Sequence, residues 1–208
     1  MRLWDLRAGQ CLSRWHVSFF ACRQLVFLPD GRHALILREE GALEHWDLDK
    51  GQVLAQIGDN ARHRMNNIVL SADGRSFIAS HHYGWVIWDI NTAQPLKQVS
   101  FDAGRFANRV AWSKDERLAV TATDVIRTWD VQQGKELNEL PGHADGTTSL
   151  ALSPDGTRLL TGGAKNPSKI YSVKSTIWCK LSGTPRKGWD NGHTIGGSRV
   201  RLCGLSRG

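Results

Sequence analysis

Histidines, cysteines and turn aspartates are the side chains of this 208-residue chain whose types suit metal binding, nucleophilic attack or proton transfer. Their spacing argues against all three uses. The eight histidines are scattered, and no close Cys/His set has the paired spacing of a zinc site. His81 and His82 are the only adjacent histidines, and neighbours at a strand end point to opposite sides, so the pair reads as loop or rim rather than a shared metal site. Cys11, Cys22, Cys179 and Cys203 show no paired spacing and read as reduced thiols. Cys22, beside an apolar run, reads as a small packed hydrophobe rather than a nucleophile. Gly162-Gly163 follows a strand pattern but opens no helix, so it is no phosphate loop. The expectation is no catalytic residue, no cofactor and no metal.

The elements that carry these residues explain the aspartates. Asp30, Asp73, Asp115 and Asp155 recur at separations of 43, 42 and 40 residues, each after a short apolar run: Leu25-Val26-Phe27-Leu28, Ile68-Val69-Leu70-Ser71, Val110-Ala111-Trp112-Ser113 and Leu150-Ala151-Leu152-Ser153. Each row reads as a buried strand entering a tight hairpin, with Asp at the third and Gly at the fourth turn position. Glu116 replaces that Gly in one row, a change that a type I turn is expected to tolerate. Between the rows stand Trp4-Asp5, Trp46-Asp47, Trp88-Asp89 and Trp129-Asp130, separated by 42, 42 and 41 residues. A fixed period of about 40 to 45 residues means one supersecondary unit copied several times, and no copy buries its apolar face alone.

A Ser-Pro-Asp-Gly-like turn followed some fifteen residues later by Trp-Asp resembles the WD-repeat β-propellers, over about residues 1 to 163. The resemblance implies an all-β fold of four-stranded antiparallel blades packed radially around a channel. Alternation and turn signals put the inner strands near 24–28, 66–70, 108–112 and 148–152 and the second near 33–37, 75–79, 117–122 and 157–161. The Trp strands fall near 42–46, 84–88 and 125–129. The expected organisation is a partial blade at 1–15, blades at about 22–57, 66–101 and 107–140, and an incomplete blade from 147. That makes about four to five blades in an open or incomplete propeller, where the architecture spans roughly 4 to 8. One alternative pairs strands 148–161 with strands 3–15 to close a four-bladed ring.

Trp4, Asp5, Trp46, Asp47, Trp88, Asp89, Trp129, Asp130 and His143 are thereby the structural repeat residues. In the family the Trp ends a hydrogen-bonded set with Ser or Thr, His and Asp. By position the resemblance offers Trp129 with Thr121 and Asp124, and His143 with Thr161, but no blade has the whole set. Packing is expected to supply most of the rigidity. Loops joining outer to inner strands and second to third strands share one propeller face, and here they are rich in aromatics and Arg, residue types enriched at binding hot spots. His82, Tyr83 and Arg105 are the expected partner-binding rim, whereas Phe19 and Phe20 are expected to cap the core between blades.

The formal charge of +7 is unevenly placed: residues 1–163 hold 18 basic and 19 acidic residues, and residues 164–208 hold nine basic and one acidic. This tail reads as a degenerate or frameshifted end, or as a disordered basic arm, and contact with nucleic acid is expected only through it. Reading the other frames downstream of codon 163 tests the frameshift: a restored Asp-Gly turn and Trp-Asp pair support it, and noise in every frame refutes it. No run of about 18 apolar residues is present to span a membrane, so a cytoplasmic chain is expected. The function expected is a non-catalytic scaffold for protein or peptide partners. The alternative is the repeat portion of a larger enzyme such as a protein kinase or protease, which the coding sequence upstream of Met1 would reveal. A propeller enzyme needs channel-facing acids or metal ligands in register, and none recur. Exposed blade edges imply self-association or poor solubility of the isolated chain.

Overall fold

The computed structural model describes residues 1–15, 21–58, 64–102 and 106–163, together with the backbone of 169–172 and 180–181. Its elements are all strands. A two-stranded sheet of β1 (Arg2–Asp5) and β2 (Gln10–Arg14) comes first. Four four-stranded antiparallel sheets follow in chain order. The first holds β3 (Cys22–Phe27), β4 (His33–Arg38), β5 (Leu43–Asp47) and β6 (Gln52–Ile57); the next holds β7 (Met65–Leu70), β8 (Ser76–His81), β9 (Gly84–Asp89) and β10 (Pro95–Ser100). Then come β11 (Arg109–Trp112), β12 (Leu118–Ala122), β13 (Val125–Asp130) and β14 (Lys135–Pro141), and finally β15 (Thr147–Leu152), β16 (Arg158–Gly163), β17 (Lys169–Ser172) and β18 (Lys180–Leu181). Each is a meander, the blade of an open propeller.

Sequence pattern explains the layering within a blade. The second and third strands lie mid-sheet between two neighbouring sheets, so both faces are covered; β4 and β5 are accordingly buried at nearly every position. The outer strands β6 and β10 are mostly exposed, with burial confined to one side. Apolar clusters fill the spaces between consecutive sheets. Trp88 of β9 joins Leu35, Leu37, Leu43 and Phe77, and Trp129 of β13 joins Ile78, Trp85 and Ile87. Trp46 of β5 packs with Ala34, Ile36, Met1 and Trp15. Each of these tryptophans therefore seals its blade onto the preceding one, which is why the residue recurs once per repeat.

The hairpins between first and second strands correct one expectation. A carbonyl accepts from the residue three later (Gly31 to Leu28, Gly74 to Ser71, Glu116 to Ser113, Gly156 to Ser153), and that last turn residue is left-handed in all four. Glu116 sits at φ 61, a region that costs an L-residue about 1–2 kcal/mol. The hairpin is a type I turn followed by a left-handed residue, so its fourth position needs Gly and Glu116 is held under strain. Ala93, at φ 55, occupies the matching glycine position of the turn between third and fourth strands, where Gly9, Gly51 and Gly134 stand in the other copies.

Three further expectations change. Strands β15 and β16 pair with each other and with β17, not with β1 and β2, so the four-bladed ring does not form. Strands β17 and β18 complete the last sheet beyond residue 163, where the repeat pattern fades in sequence. Cys22 is exposed as a residue rather than packed in the core, although its thiol donates to Gln24 O at 3.4 Å, because the first residue of β3 lies at the rim and not between sheets. Phe19, Phe20, Arg105 and most of the basic tail lie outside the described residues.

Candidate interaction face

The repeated aspartates are occupied in holding turns. In the first-to-second strand hairpins, Oδ1 of Asp30, Asp73, Asp115 and Asp155 accepts the amide of the residue two positions on, at 2.9, 3.0, 3.2 and 3.0 Å. Ser71, Ser113 and Ser153 donate their hydroxyls to the same carboxylates. These bonds favour the charged form. The His33 imidazole above all holds Asp30 down to about 2, and the Ser153 hydroxyl above all holds Asp155 to about 2.

The Asp of each Trp-Asp pair serves the next turn in the same way. Asp5 accepts the amides of Arg7 and Ala8, Asp47 those of Asp49 and Lys50, Asp89 that of Thr92 and Asp130 that of Gln133, at 2.8–3.0 Å. The tryptophans are less uniform. Trp129 donates to the Thr121 hydroxyl at 2.9 Å, the pair implied by the resemblance, but Asp124 bonds instead to Thr123. His143, wholly buried, meets the Thr161 hydroxyl at 3.0 Å. Trp46 donates to Glu44 at 2.8 Å, and Glu44 forms a buried ion pair with Arg38 at 2.7 Å. Trp88 is buried, whereas Trp4 on the two-stranded sheet is half-exposed. The Glu44 arrangement was missed in sequence because a carboxylate beside Trp reads as an ordinary surface charge.

One face of the propeller gathers the inner-strand starts and the second-to-third strand turns. The amide of Met65 donates to Gly41 O, that of Thr147 to Thr123 O at 2.7 Å, and the Arg23 guanidinium to Glu39 O. On this face His82 and Tyr83 form the turn between β8 and β9, with ring centroids 5.4 Å apart. Phe106, just before β11, lies 4.4 Å from His82. Tyr83 is 63% exposed and Phe106 40%, so the three rings present an aromatic patch to solvent. Phe106 belongs to this patch although sequence singled out only its neighbour Arg105.

Beside the patch, polar side chains stitch the inner strands together. Gln24 donates to Ile68 O and accepts from Asn67, whose own Oδ1 accepts from the Val110 amide; Arg109 donates to Thr148 O at 2.7 Å. A cavity of about 460 Å³ opens at this end of the inner strands, lined by Arg23, Asn66, Arg109, Asp145, Thr147 and Thr148 among others. Burial first, and the Arg23 charge second, push the Arg109 guanidinium below its ordinary range. Among the described residues no group of three or more His, Cys, Asp or Glu is placed to hold a metal.

Radially stacked four-stranded blades with loops and turns gathered on one face define a β-propeller. The family model described as WD domain, G-beta repeat matches residues 134–166. The chain is 24% identical over 206 residues to Autophagy-related protein 16 of Arabidopsis thaliana, covering 98% of the chain and 39% of that protein. It is also 38% identical over 66 residues to Transcription factor unc-37 of Caenorhabditis elegans, covering 31% of the chain and 11% of that protein. A third similarity, 24% over 156 residues, is to Eukaryotic translation initiation factor 3 subunit I of Culex quinquefasciatus, covering 68% of the chain and 48% of that protein. These similarities support a WD-repeat family, and the chain spans less than half the length of each of these relatives.

Proposed function

We propose that this chain is a non-catalytic scaffold that binds protein or peptide partners in the cytoplasm through the face bearing His82 and Tyr83. The observation that carries the reading is the aromatic cluster of His82, Tyr83 and Phe106, exposed on a rigid framework whose own apolar residues are buried between blades. Exposed rings on a rigid support contribute contact area with little ordering cost, the property of binding hot spots. The turn aspartates fit a structural rather than a catalytic role, since each carboxylate accepts a backbone amide of its own hairpin. Likeness to relatives whose names denote an autophagy-related protein, a transcription factor and a translation-factor subunit fits a binding module used in several settings.

The test compares proteins captured by the native chain with those captured by a His82→Ala/Tyr83→Ala double variant and by a Lys114→Ala control in a hairpin away from this face. Partners retained by the native chain and the control but lost by the double variant support the reading. Identical capture by all three refutes it. A second surface favours self-association: Leu25 and Phe27 of β3 are more than half exposed beside a small apolar cleft lined by Met1, Leu3 and Trp15.

A further inference from the structure

The cavity at the inner-strand starts differs from the aromatic patch in chemistry. Arg23 donates to Asn66 Oδ1 at 3.2 Å and to Glu39 O at 3.3 Å, and Arg109 donates to Thr148 O and Asn108 O. Their partners are neutral: among the described residues neither guanidinium meets a carboxylate, although like charges facing one cavity repel. A guanidinium has five donors in a planar fork, so each retains donors beyond those bonds. Thr147, 4% exposed, also lines the cavity, and its hydroxyl has no partner among the described residues. The one acid in the lining is Asp145.

The surrounding body makes this local excess informative. Residues 1–163 are close to electrically neutral, with 18 basic and 19 acidic residues, and some exposed cations pair with acids, as Arg32 does with Asp49 and Lys50 with Asp47. Two arginines that keep only neutral partners in a concave, partly desolvated site mark a place where negative charge is missing. The cavity volume of about 460 Å³ lies within the span of ligand sites.

We propose that this cavity binds an oxyanion carried by a partner peptide, a carboxylate or a phosphoryl group recognised by the Arg23 and Arg109 guanidiniums. The inference rests on the interaction-face reading and sharpens it: the aromatic patch supplies contact area and the arginine cavity supplies selection for charge. Asp145 limits the positive excess of the lining.

The experiment measures fluorescence anisotropy of the full chain with three degenerate peptide libraries that differ only in a fixed central Glu, phosphothreonine or Gln. Binding of the Glu or phosphothreonine library about tenfold or more tighter than the Gln library is expected, as charge-assisted bonds require. Which of the two binds better tells a carboxylate source from a phosphoryl source. Arg23→Gln and Arg109→Gln should each remove the preference, and Arg109→Lys should restore part of it, since charge remains and the fork is lost. Should the Gln variants fail to fold, the preference of the native chain and its decline with added salt still decide the matter. Equal binding of all three libraries that falls with Tyr83→Ala overturns the oxyanion site and leaves the interaction face standing. A charge preference insensitive to Tyr83→Ala supports the cavity and overturns the role of the rim. Absence of binding to the Glu and phosphothreonine libraries overturns the inference.

Discussion

At the scale of single residues, strain and saturation sort the positions. Glu116 and Ala93 hold left-handed backbone at places where other copies have Gly. Glu116→Gly and Ala93→Gly should therefore each stabilise the chain by about 0.5–1 kcal/mol, strain relief being partly offset by the freedom Gly adds to the unfolded chain. Urea titration of the full chain checks this; a lower midpoint in either variant would contradict it. The turn aspartates set the acid response. Asp30 and Asp155 are held at about 2 and Asp73 and Asp115 are also lowered, so their contribution is present above the unfolded carboxylate range and is lost as pH falls through their folded values. Stability measured from pH 7 down to pH 2 should decline mainly below about pH 4, and Asp155→Asn should flatten part of that decline. These carboxylates were legible as scaffold because they recur in register. The strain at Glu116 was not: a turn type can be read from Pro, Asp and Gly, but the sign of φ at its last residue is fixed only by the hairpin that closes around it.

At the scale of elements, strand positions were readable to within a residue or two because each blade repeats the same alternation and the same turn residues. The interfaces were less readable, since what joins blades is set by side chains some 43 residues apart. Asn67 shows this: nothing in Met65-Asn66-Asn67-Ile68 distinguishes it from a surface amide, yet its side chain bonds to Gln24 and to the Val110 amide, on either side. Asn67→Ala should cost about 1–3 kcal/mol, since the buried Val110 amide loses its acceptor. Trp88→Ala opens the space between two sheets and should cost about 3–5 kcal/mol. Glu44→Ala should be destabilising by a similar amount, because it strips Arg38 of its buried partner and Trp46 of its acceptor at once. Calorimetry of the three variants should rank Asn67→Ala as the mildest.

At the scale of the whole molecule, an open row of blades leaves apolar strand surface facing outward at its first sheets. Leu25 and Phe27 are exposed on β3 and Trp4 on β1. The 208-residue chain by itself should associate, and Leu25→Ser combined with Phe27→Ser should shift its sedimentation toward the monomer. Sharp monomeric behaviour of the unaltered chain would refute this. The proposed binding face was only partly legible at this scale. His82 and Tyr83 lie in one turn and were visible as exposed aromatics, whereas Phe106 and the Arg23–Arg109 cavity are assembled from separate repeats, which no local pattern announces.

The inner-strand stitches carry one more consequence. Gln24 reaches forward to Ile68, Asn67 to Val110 and Arg109 to Thr148, so the fastener for each junction is carried by the earlier blade and closes mostly on main-chain groups of the later one. A newly duplicated blade would thus arrive with its own forward clasp and would ask little of its neighbour's side chains. Lineages built this way can lengthen or shorten by whole copies while the loops on their common face drift independently, which makes blade number and partner choice separately adjustable traits.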